Sequence, residues 1–191
     1  MYLIVITGGI GTGKSAVLAQ FRALGGAGLD TDDVAHELYA PNGPAWRAIA
    51  NHFGHAIVRA DGQLDRKAIA RRVFAAPLEL AWLNGLLHPL IRERLLAEAE
   101  FVAPRPLFAA VPLWYEIGWE LPGVRVIATW CTTALQLERL YARGWSEEEI
   151  ARRLKNQLPK DEKLNRADYA ILTIGSMNDL HEQCARLYEA I

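Results

Sequence analysis

The sequence predicts a three-layer α/β fold in which helices cover both faces of a five-stranded parallel sheet. Short apolar runs alternate along the chain with stretches of helical periodicity, and strands that alternate with helices form parallel sheets. The length of 191 residues suits a single domain. The hydrophobic fraction of 51% and the charged fraction of 23% are typical of globular proteins, which argues against a disordered or fibrous chain.

The first elements are a strand, a loop, a helix and a second strand. The β-branched run Tyr2–Thr7 ends in glycines, and helical spacing follows over Lys14–Leu24. The glycines at 25–26 end this helix, a second strand is predicted at Ala27–Asp30, and an amphipathic helix at Val34–Tyr39. Three further strands complete the sheet, at Leu107–Val111, Val124–Thr129 and Tyr169–Thr173.

Two regions interrupt this alternation. Residues 64–103 are predicted to be mostly helical, as an insertion beside a cleft. Residues 133–166 are predicted to form two charged helices, which break at Gly144 and of which the second is capped by Ser146. We expect this second region to be a mobile lid on a single domain of 1–191. The core then comprises about 1–63, 104–132 and 167–191.

The charge and the cysteine content argue against several classes of protein. The 21 basic and 22 acidic side chains give a net charge of -1, so no overall positive field attracts nucleic acid or an anionic membrane. Cys131 and Cys184 have neither disulfide-scaffold nor zinc-ligand spacing. The apolar run at the N-terminus is too short for a targeting signal, and no stretch is long enough for a membrane helix. The sequence predicts a cytoplasmic protein with no obligate protein partner.

The strongest chemical signal is the segment GGIGTGKS at residues 8–15, between the first strand and the first helix. It matches the phosphate-loop pattern G-x-x-x-x-G-K-S in the context that this pattern requires. Its backbone N–H groups surround phosphate oxygens, Lys14 supplies a charge, and Ser15 supplies a hydroxyl for Mg²⁺. A glycine-rich turn with a chance Lys-Ser is the alternative. The predicted ATP-binding residues in this segment are Gly9, Ile10, Gly11, Thr12, Gly13, Lys14, Ser15 and Ala16.

This segment predicts a P-loop NTPase fold, and the remaining sequence narrows its class. A switch GTPase requires D-x-x-G and N-K-x-D elements, and neither occurs in the 191 residues. An energy-coupling ATPase would place an aspartate after a buried strand, whereas Leu107–Val111 leads into PLWYE. A small-molecule kinase fits better.

Asp30 and Asp32 follow the second strand and are candidates for the chemistry. If strand geometry persists, carboxylates two residues apart point to the same side, beyond the carboxyl end of the sheet where ligands bind. We expect Asp32 to be the catalytic base and, with Ser15, a metal ligand. The alternative is that Asp32 only caps the following helix.

Arginines in the predicted lid are candidates for phosphate binding. Arg139 and Arg143 are four residues apart and therefore share one helix face, and Arg153 lies on the next helix. Their guanidinium groups would neutralise the transferred phosphoryl group when the lid closes over ATP. A solvated charged helix is the alternative for each.

Taken together, these residues resemble the dephospho-coenzyme A kinase family over nearly the whole chain. The order of the elements is more selective than the phosphate loop alone. The matching positions are 7–15, Asp30-Thr31-Asp32, Phe53-Gly54, Asp61-Gly62, Leu64-Asp65-Arg66, Val73-Phe74, Leu83-Asn84, Leu87-His88-Pro89, Pro112-Leu113, Glu116, Gln136, Arg139, Arg143, Gln157, Ala167-Asp168 and Gly175-Ser176.

The resemblance implies transfer of the ATP γ-phosphoryl group to the 3′-hydroxyl of dephospho-coenzyme A, the final step of coenzyme A synthesis. It implies Mg²⁺ as cofactor, and Asp32, Lys14 and Arg139 as catalytic residues, with the region 64–103 holding the acceptor. Candidate acceptor contacts are Asp30, Arg66, His88 and Glu116. For His88, at a His-Pro that begins a helix, a structural role is the alternative, and for Glu116, at a strand end, pairing with an arginine.

Several positions depart from the family pattern. Thr173 stands where the family often has Asn near adenine, and His36 where it often has Arg. Thr133-Ala134 replaces the usual start of the lid, and Trp114-Tyr115 replaces smaller residues. Two other functions stay open from the residues: a nucleoside monophosphate or other small-metabolite kinase, and a non-catalytic ATP sensor.

Overall fold

The computed structural model describes residues 2–191 and divides them into two compact units. One unit comprises the chain through Asp30 together with the chain from Ala99 onward, and the other comprises Thr31–Glu98. In chain order the elements are β1 (Leu3–Gly8), α1 (Lys14–Ala23), β2 (Ala27–Asp30), α2 (Thr31–Leu38), α3 (Trp46–Phe53), a 3-10 turn (His55–Ile57), α4 (Arg66–Ala75), α5 (Pro77–Phe101), β3 (Leu107–Ala110), β4 (Arg125–Trp130), α6 (Thr133–Ala142), α7 (Glu147–Lys155), α8 (Lys160–Arg166), β5 (Tyr169–Leu172) and α9 (Met177–Ala190).

All five strands belong to one parallel sheet in the first unit, in the order β2-β3-β1-β4-β5. The α/β fold class and the five strands are therefore confirmed, with strand limits that differ from the prediction by one residue at most. Val5 of β1 lies opposite Ala109 on one side and Val126 on the other. Because the strands are parallel, the segments that follow β1, β2, β3 and β4 all leave from the same edge of the sheet.

The sheet is buried on both faces. On one face, Ile6 and Ile127 pack with Val17 and Phe21 of α1, and the Phe21 ring stacks on Phe108 at 3.9 Å between centroids. Strand side chains alternate between faces, so the neighbouring positions lie on the other face, and these are fully buried as well. They include Val5, Ala109 and Ala128. Burial of both faces is what a three-layer α/β fold requires.

The second unit, Thr31–Glu98, is helical and has its own internal contacts. The indole Nε1 of Trp46 donates to the Gly62 carbonyl at 2.9 Å, and Arg72 donates to the Phe53 carbonyl at 2.6 Å. The His52 ring stacks on Trp82 with centroids 3.6 Å apart. Side chains of α4 and α5 thus each contact α3 within this unit.

The long helix α5 corrects one prediction. His88 and Pro89 lie inside this 25-residue helix, whereas the sequence placed them at a helix start. A proline inside a helix removes one backbone hydrogen bond, and the helical pattern on either side of Pro89 outweighs that cost. Within residues 2–191, no helix combines the length and the apolar character needed to cross a membrane.

The region 133–166 also differs from its prediction, since it contains three helices and not two. Gly144, with φ of +79°, separates α6 from α7, and the Ser146 hydroxyl caps α7 by accepting from Glu149 N at 3.2 Å. Both of these features are as predicted. The third helix, α8, was not predicted because Leu164 is the one apolar residue among its seven residues, so helical periodicity is weak there.

A capping box at the start of α9 yields a stability prediction. The Ser176 hydroxyl accepts from Asp179 N at 3.2 Å while the Asp179 carboxylate accepts from Ser176 N at 2.7 Å. We expect Ser176→Ala to lower the free energy of unfolding by about 1 kcal/mol in urea titrations, because a helix N-cap is lost. Asn178→Ala on the same helix is the control and should change this free energy by less than about 0.5 kcal/mol. Equal effects of the two substitutions would contradict the prediction.

Candidate active site

In the loop between β1 and α1, three glycines have a backbone conformation that favours glycine, and the middle one, Gly11, has φ of +77°. Gly8 and Gly13 have φ of +147° and +95°. A Cβ on Gly8 would lie 2.3 Å from Thr129 Oγ1, and one on Gly13 would lie 2.9 Å from Thr173 Cγ2. Side chains therefore cannot be added at either end of the loop without displacing these neighbours.

The N-terminal end of α1 suits a bound anion. Gly13 provides no side-chain cap, and the first turn of α1 contains no acidic residue, so the positive end of the helix dipole is not neutralised from within the helix. Lys14 Nζ donates to the carbonyls of Gly8 and Gly9, both at 2.9 Å, which holds its ammonium group over the loop. Ser15 is exposed beside it. The structure thus brings together the predicted phosphate-binding residues.

Two glutamines hold the middle of this loop at Ile10. Gln136 of α6, which is buried, donates from Nε2 to the Ile10 carbonyl at 2.6 Å. Gln157, between α7 and α8, accepts from Ile10 N at 3.1 Å. In the sequence both glutamines stood out only as positions that match the family. Their contacts depend on residues more than 120 positions apart, which no local pattern reveals.

Arg139 reaches the loop through Thr173. Its Nη1 donates to Thr173 Oγ1 at 2.9 Å and its Nη2 to the Thr173 carbonyl at 2.6 Å. The Thr173 hydroxyl in turn donates to the Thr12 carbonyl at 2.8 Å. Arg139 therefore lies at the loop, and its binding of phosphate stays a prediction. Thr173, which stands where the family often has Asn, connects Arg139 to the loop.

The other lid arginines are placed differently. Arg143 does not lie within the helix of Arg139: it is exposed and is the residue that ends α6. Arg153 of α7 is exposed, pairs with Glu149 at 3.0 Å, and lies over the Trp145 ring at 4.2 Å. Its contacts are those of a charged surface helix. Binding of phosphate by Arg143 stays a prediction.

The strand geometry expected for Asp30 and Asp32 is wrong. β2 ends at Asp30, opposite Ala110 of β3, and α2 begins at Thr31. Asp32 therefore lies in the first turn of a helix, where acidic residues are favourable, and alternation along a strand does not apply to it. Its carboxylate is exposed and belongs to the second unit. Its role as base and metal ligand stays a prediction.

Two of the predicted acceptor contacts also belong to the second unit. Arg66 is exposed at the first position of α4, whose N-cap Asp65 accepts from Ala68 N at 2.9 Å. His88 is half-buried in α5, and burial lowers the pKa of its imidazole, which favours the neutral form. Their roles stay predictions.

Glu116 is part of a largely buried ion pair, which was the alternative to an acceptor contact, but its partner is a lysine and not an arginine. Lys163 Nζ of α8 lies 2.6 Å from Glu116 Oε1, and the Lys163 side chain has no exposed surface. Glu116 lies six residues beyond the end of β3, so it does not lie at the strand end as predicted. The sequence missed Lys163 because a lysine in a charged segment normally faces solvent.

The oxygen donors near the loop fit Mg²⁺ bound together with a nucleotide. Among residues 2–191, no three or more His, Cys, Asp or Glu side chains are grouped to hold a metal by themselves. Mg²⁺ is commonly held by one or two protein oxygens together with substrate phosphates. The exposed Ser15 hydroxyl, next to Lys14, is an oxygen donor of this kind, and its role as a metal ligand stays a prediction.

Comparisons with known proteins decide the family. A sequence profile described as dephospho-CoA kinase matches residues 2–179. The chain belongs to this family of ATP-dependent kinases. The dephospho-CoA kinase of Idiomarina loihiensis is 38% identical over 189 residues, which cover 98% of this chain and 94% of the relative.

Two solved structures share the fold of this chain. A protein designated TT1252 from Thermus thermophilus is 34% identical, with a TM-score of 0.82 over 99% of this chain and 97% of its own. The dephospho-CoA kinase from Campylobacter jejuni is 26% identical, with a TM-score of 0.73 over 98% and 96%. The recognition made from the sequence is thereby confirmed.

The hydroxyl of Thr173 gives a testable prediction. Thr173→Val preserves the shape of this buried residue but removes the oxygen that contacts both Arg139 and Thr12. We expect the affinity for ATP, measured by isothermal titration calorimetry, to fall about tenfold, because the partly buried guanidinium group of Arg139 loses an acceptor beside the loop. Thr173→Ser, which retains the hydroxyl, should recover most of the affinity. Equal affinities of the two variants would rule out this role of the hydroxyl.

Proposed function

We propose that the chain transfers the γ-phosphoryl group of ATP to the 3′-hydroxyl of dephospho-CoA and releases CoA and ADP. The observation that carries the proposal is the loop at residues 8–15, which combines glycines that leave no room for side chains, a positive helix end and the ammonium group of Lys14. The identity of the acceptor substrate, dephospho-CoA, is inferred from membership of the family. The runner-up, a kinase for nucleoside monophosphates or other small metabolites, would use the same loop with another acceptor.

The catalytic roles follow from the chemistry of phosphoryl transfer. The loop amides and Lys14 bind the phosphate oxygens, and Arg139 neutralises negative charge on the transferred group. The Asp32 carboxylate accepts the proton of the acceptor hydroxyl, whose oxygen forms the new bond to phosphorus while the bond to the ADP oxygen breaks. Ser15 and Asp32 would hold Mg²⁺, which would screen the charge of the phosphates when bound. Catalysis then rests on positioning and electrostatics.

Within this proposal the helical regions have separate tasks. Residues 64–103 hold the acceptor, with Arg66 and His88 as contacts alongside Asp30, and residues 133–166 close over ATP with Arg139 and Arg143. Closure would exclude water that would otherwise hydrolyse ATP. A cytoplasmic location and function without a protein partner complete the proposal.

The reaction can be tested directly. We expect purified protein with ATP and Mg²⁺ to release ADP at a rate that depends on dephospho-CoA, with a product heavier than the acceptor by one phosphoryl group in mass spectrometry. Nucleoside monophosphates are the control acceptors and should not stimulate the rate. Stimulation by one of them would favour the runner-up. ATP binding with no stimulation by any acceptor would favour the non-catalytic sensor.

Replacement of the base separates chemistry from binding. We expect Asp32→Asn to lower turnover at least about 100-fold while ATP affinity changes only a few-fold, since the proton acceptor is lost but the phosphate loop is intact. Lys14→Ala, in contrast, should weaken ATP binding and turnover together. Steady-state kinetics and calorimetry on both variants measure these effects. Near-normal turnover of Asp32→Asn would remove Asp32 from its role.

A further inference from the structure

The ion pair between Glu116 and Lys163 is buried at a considerable energetic cost. Lys163 has no exposed side-chain surface, and 17% of the Glu116 side chain is exposed. Burial lowers the pKa of Lys163, and the contact with Glu116 acts in the opposite direction. Because charges lose their hydration when they are buried, pairs of this kind often contribute little net stability. The geometry around the pair indicates what else it does.

The pair connects two segments that flank the phosphate loop. Glu116 Oε1 accepts from Lys163 Nζ at 2.6 Å and from Leu158 N at 2.9 Å. Lys163 Nζ also donates to the Pro112 carbonyl at 2.6 Å, and that carbonyl accepts from Thr7 Oγ1 of β1 at 3.4 Å. The carboxylate and the ammonium group therefore join the segment after β3 to the turn before α8.

This turn carries the contact with the loop. Leu158, bound to Glu116, directly follows Gln157, whose side chain accepts from Ile10 N at 3.1 Å. Displacement of the Leu158 backbone would carry Gln157 with it, since the two residues are adjacent. Two hydrogen bonds, from Leu158 N to Glu116 and from Ile10 N to Gln157, thus couple the conformation of the phosphate loop to Glu116.

The same geometry does not favour Glu116 as a contact for the acceptor. Its Oε1 already accepts from two donors, and its Oε2 is buried, with no hydrogen-bond partner among residues 2–191. A substrate would have to displace protein groups to reach either oxygen. The carboxylate is oriented toward the protein interior, where its partners belong to α8 and the preceding turn.

We propose that Glu116 is a positioning residue for the phosphate loop, which acts through the Leu158 backbone and the Gln157 side chain, with Lys163 as its counter-charge. Loop amides that are held in place before ATP arrives bind the phosphates without a further loss of conformational freedom. Any effect of Glu116 on turnover or on the KM for dephospho-CoA rests on the proposed function. The binding part of the proposal requires only that the loop binds ATP.

A matched pair of double variants tests the acceptor oxygen at position 116. Glu116→Gln with Lys163→Met, and Glu116→Leu with Lys163→Met, both remove the two buried charges, a change that proteins often tolerate. Only glutamine retains an oxygen for Leu158 N. Calorimetric titration with ATP and Mg²⁺, without acceptor, should give the leucine variant at least about fivefold weaker binding than the glutamine variant, as expected for one lost hydrogen bond.

Gln157→Ala tests the next link and does not disturb the buried pair. It should weaken ATP binding to a similar extent, and it should add little further effect in the Glu116→Leu, Lys163→Met background, because coupled residues are not additive. Gln20→Ala is the control: Gln20 bonds to His181 between α1 and α9, and its loss should leave ATP affinity unchanged. If the double variants fail to fold, Gln157→Ala alone decides.

The outcomes separate this proposal from the acceptor role and from the proposed function. Equal ATP affinity of the two double variants, or wild-type affinity of Gln157→Ala, overturns it. If the double variants instead have a raised KM for dephospho-CoA and unchanged ATP affinity, the positioning role is also overturned. Glu116 would then be an acceptor contact. If the wild-type protein binds ATP but produces no CoA, the proposed function fails while the binding comparison still stands.

Discussion

The close contact of the phosphate loop with the neighbouring strand ends determines how the rest of the site is arranged. Thr12 Oγ1 lies 2.7 Å from Thr129 Oγ1 of β4 and 2.7 Å from the Gly9 carbonyl. These distances leave no space for a side chain on Gly8. The loop can pack so tightly only where its residues have no side chains. Glycines without side chains also let phosphate oxygens approach the backbone N–H groups. Packing and binding thus impose the same condition on the sequence.

Groups from distant segments then hold this loop at three places. Gln136 and Gln157 bind the two polar groups of Ile10, and Thr173 binds the Thr12 carbonyl. Arg139 joins through Thr173. Since these residues come from α6, from the turn before α8 and from the end of β5, the region predicted as a lid contributes directly to the shape of the loop. Lid and loop should therefore respond together when ATP binds.

Much of the fold could be predicted because its signals are local. The strands Leu3–Gly8 and Ala27–Asp30 are short apolar runs, and Lys14–Ala23 has clear helical spacing. The prediction was wrong where the local signal was weak or ambiguous. α8 has little apolar periodicity, Pro89 lies within a helix, and Asp32 follows a strand that ends two residues earlier. In each case helix formation depends on the surroundings as well as on the residue itself.

The sequence by itself determined the fold class, the phosphate loop and the family. The glycines, Lys14 and Ser15 follow one another within eight residues between a strand and a helix, so the motif is visible without the fold. Only the tertiary structure decided the partners of Thr173 and Gln157, and that Glu116 pairs with Lys163. Those contacts join residues that are 34 to 161 positions apart. Such pairings depend on how helices pack on the sheet, which no short stretch of residues encodes.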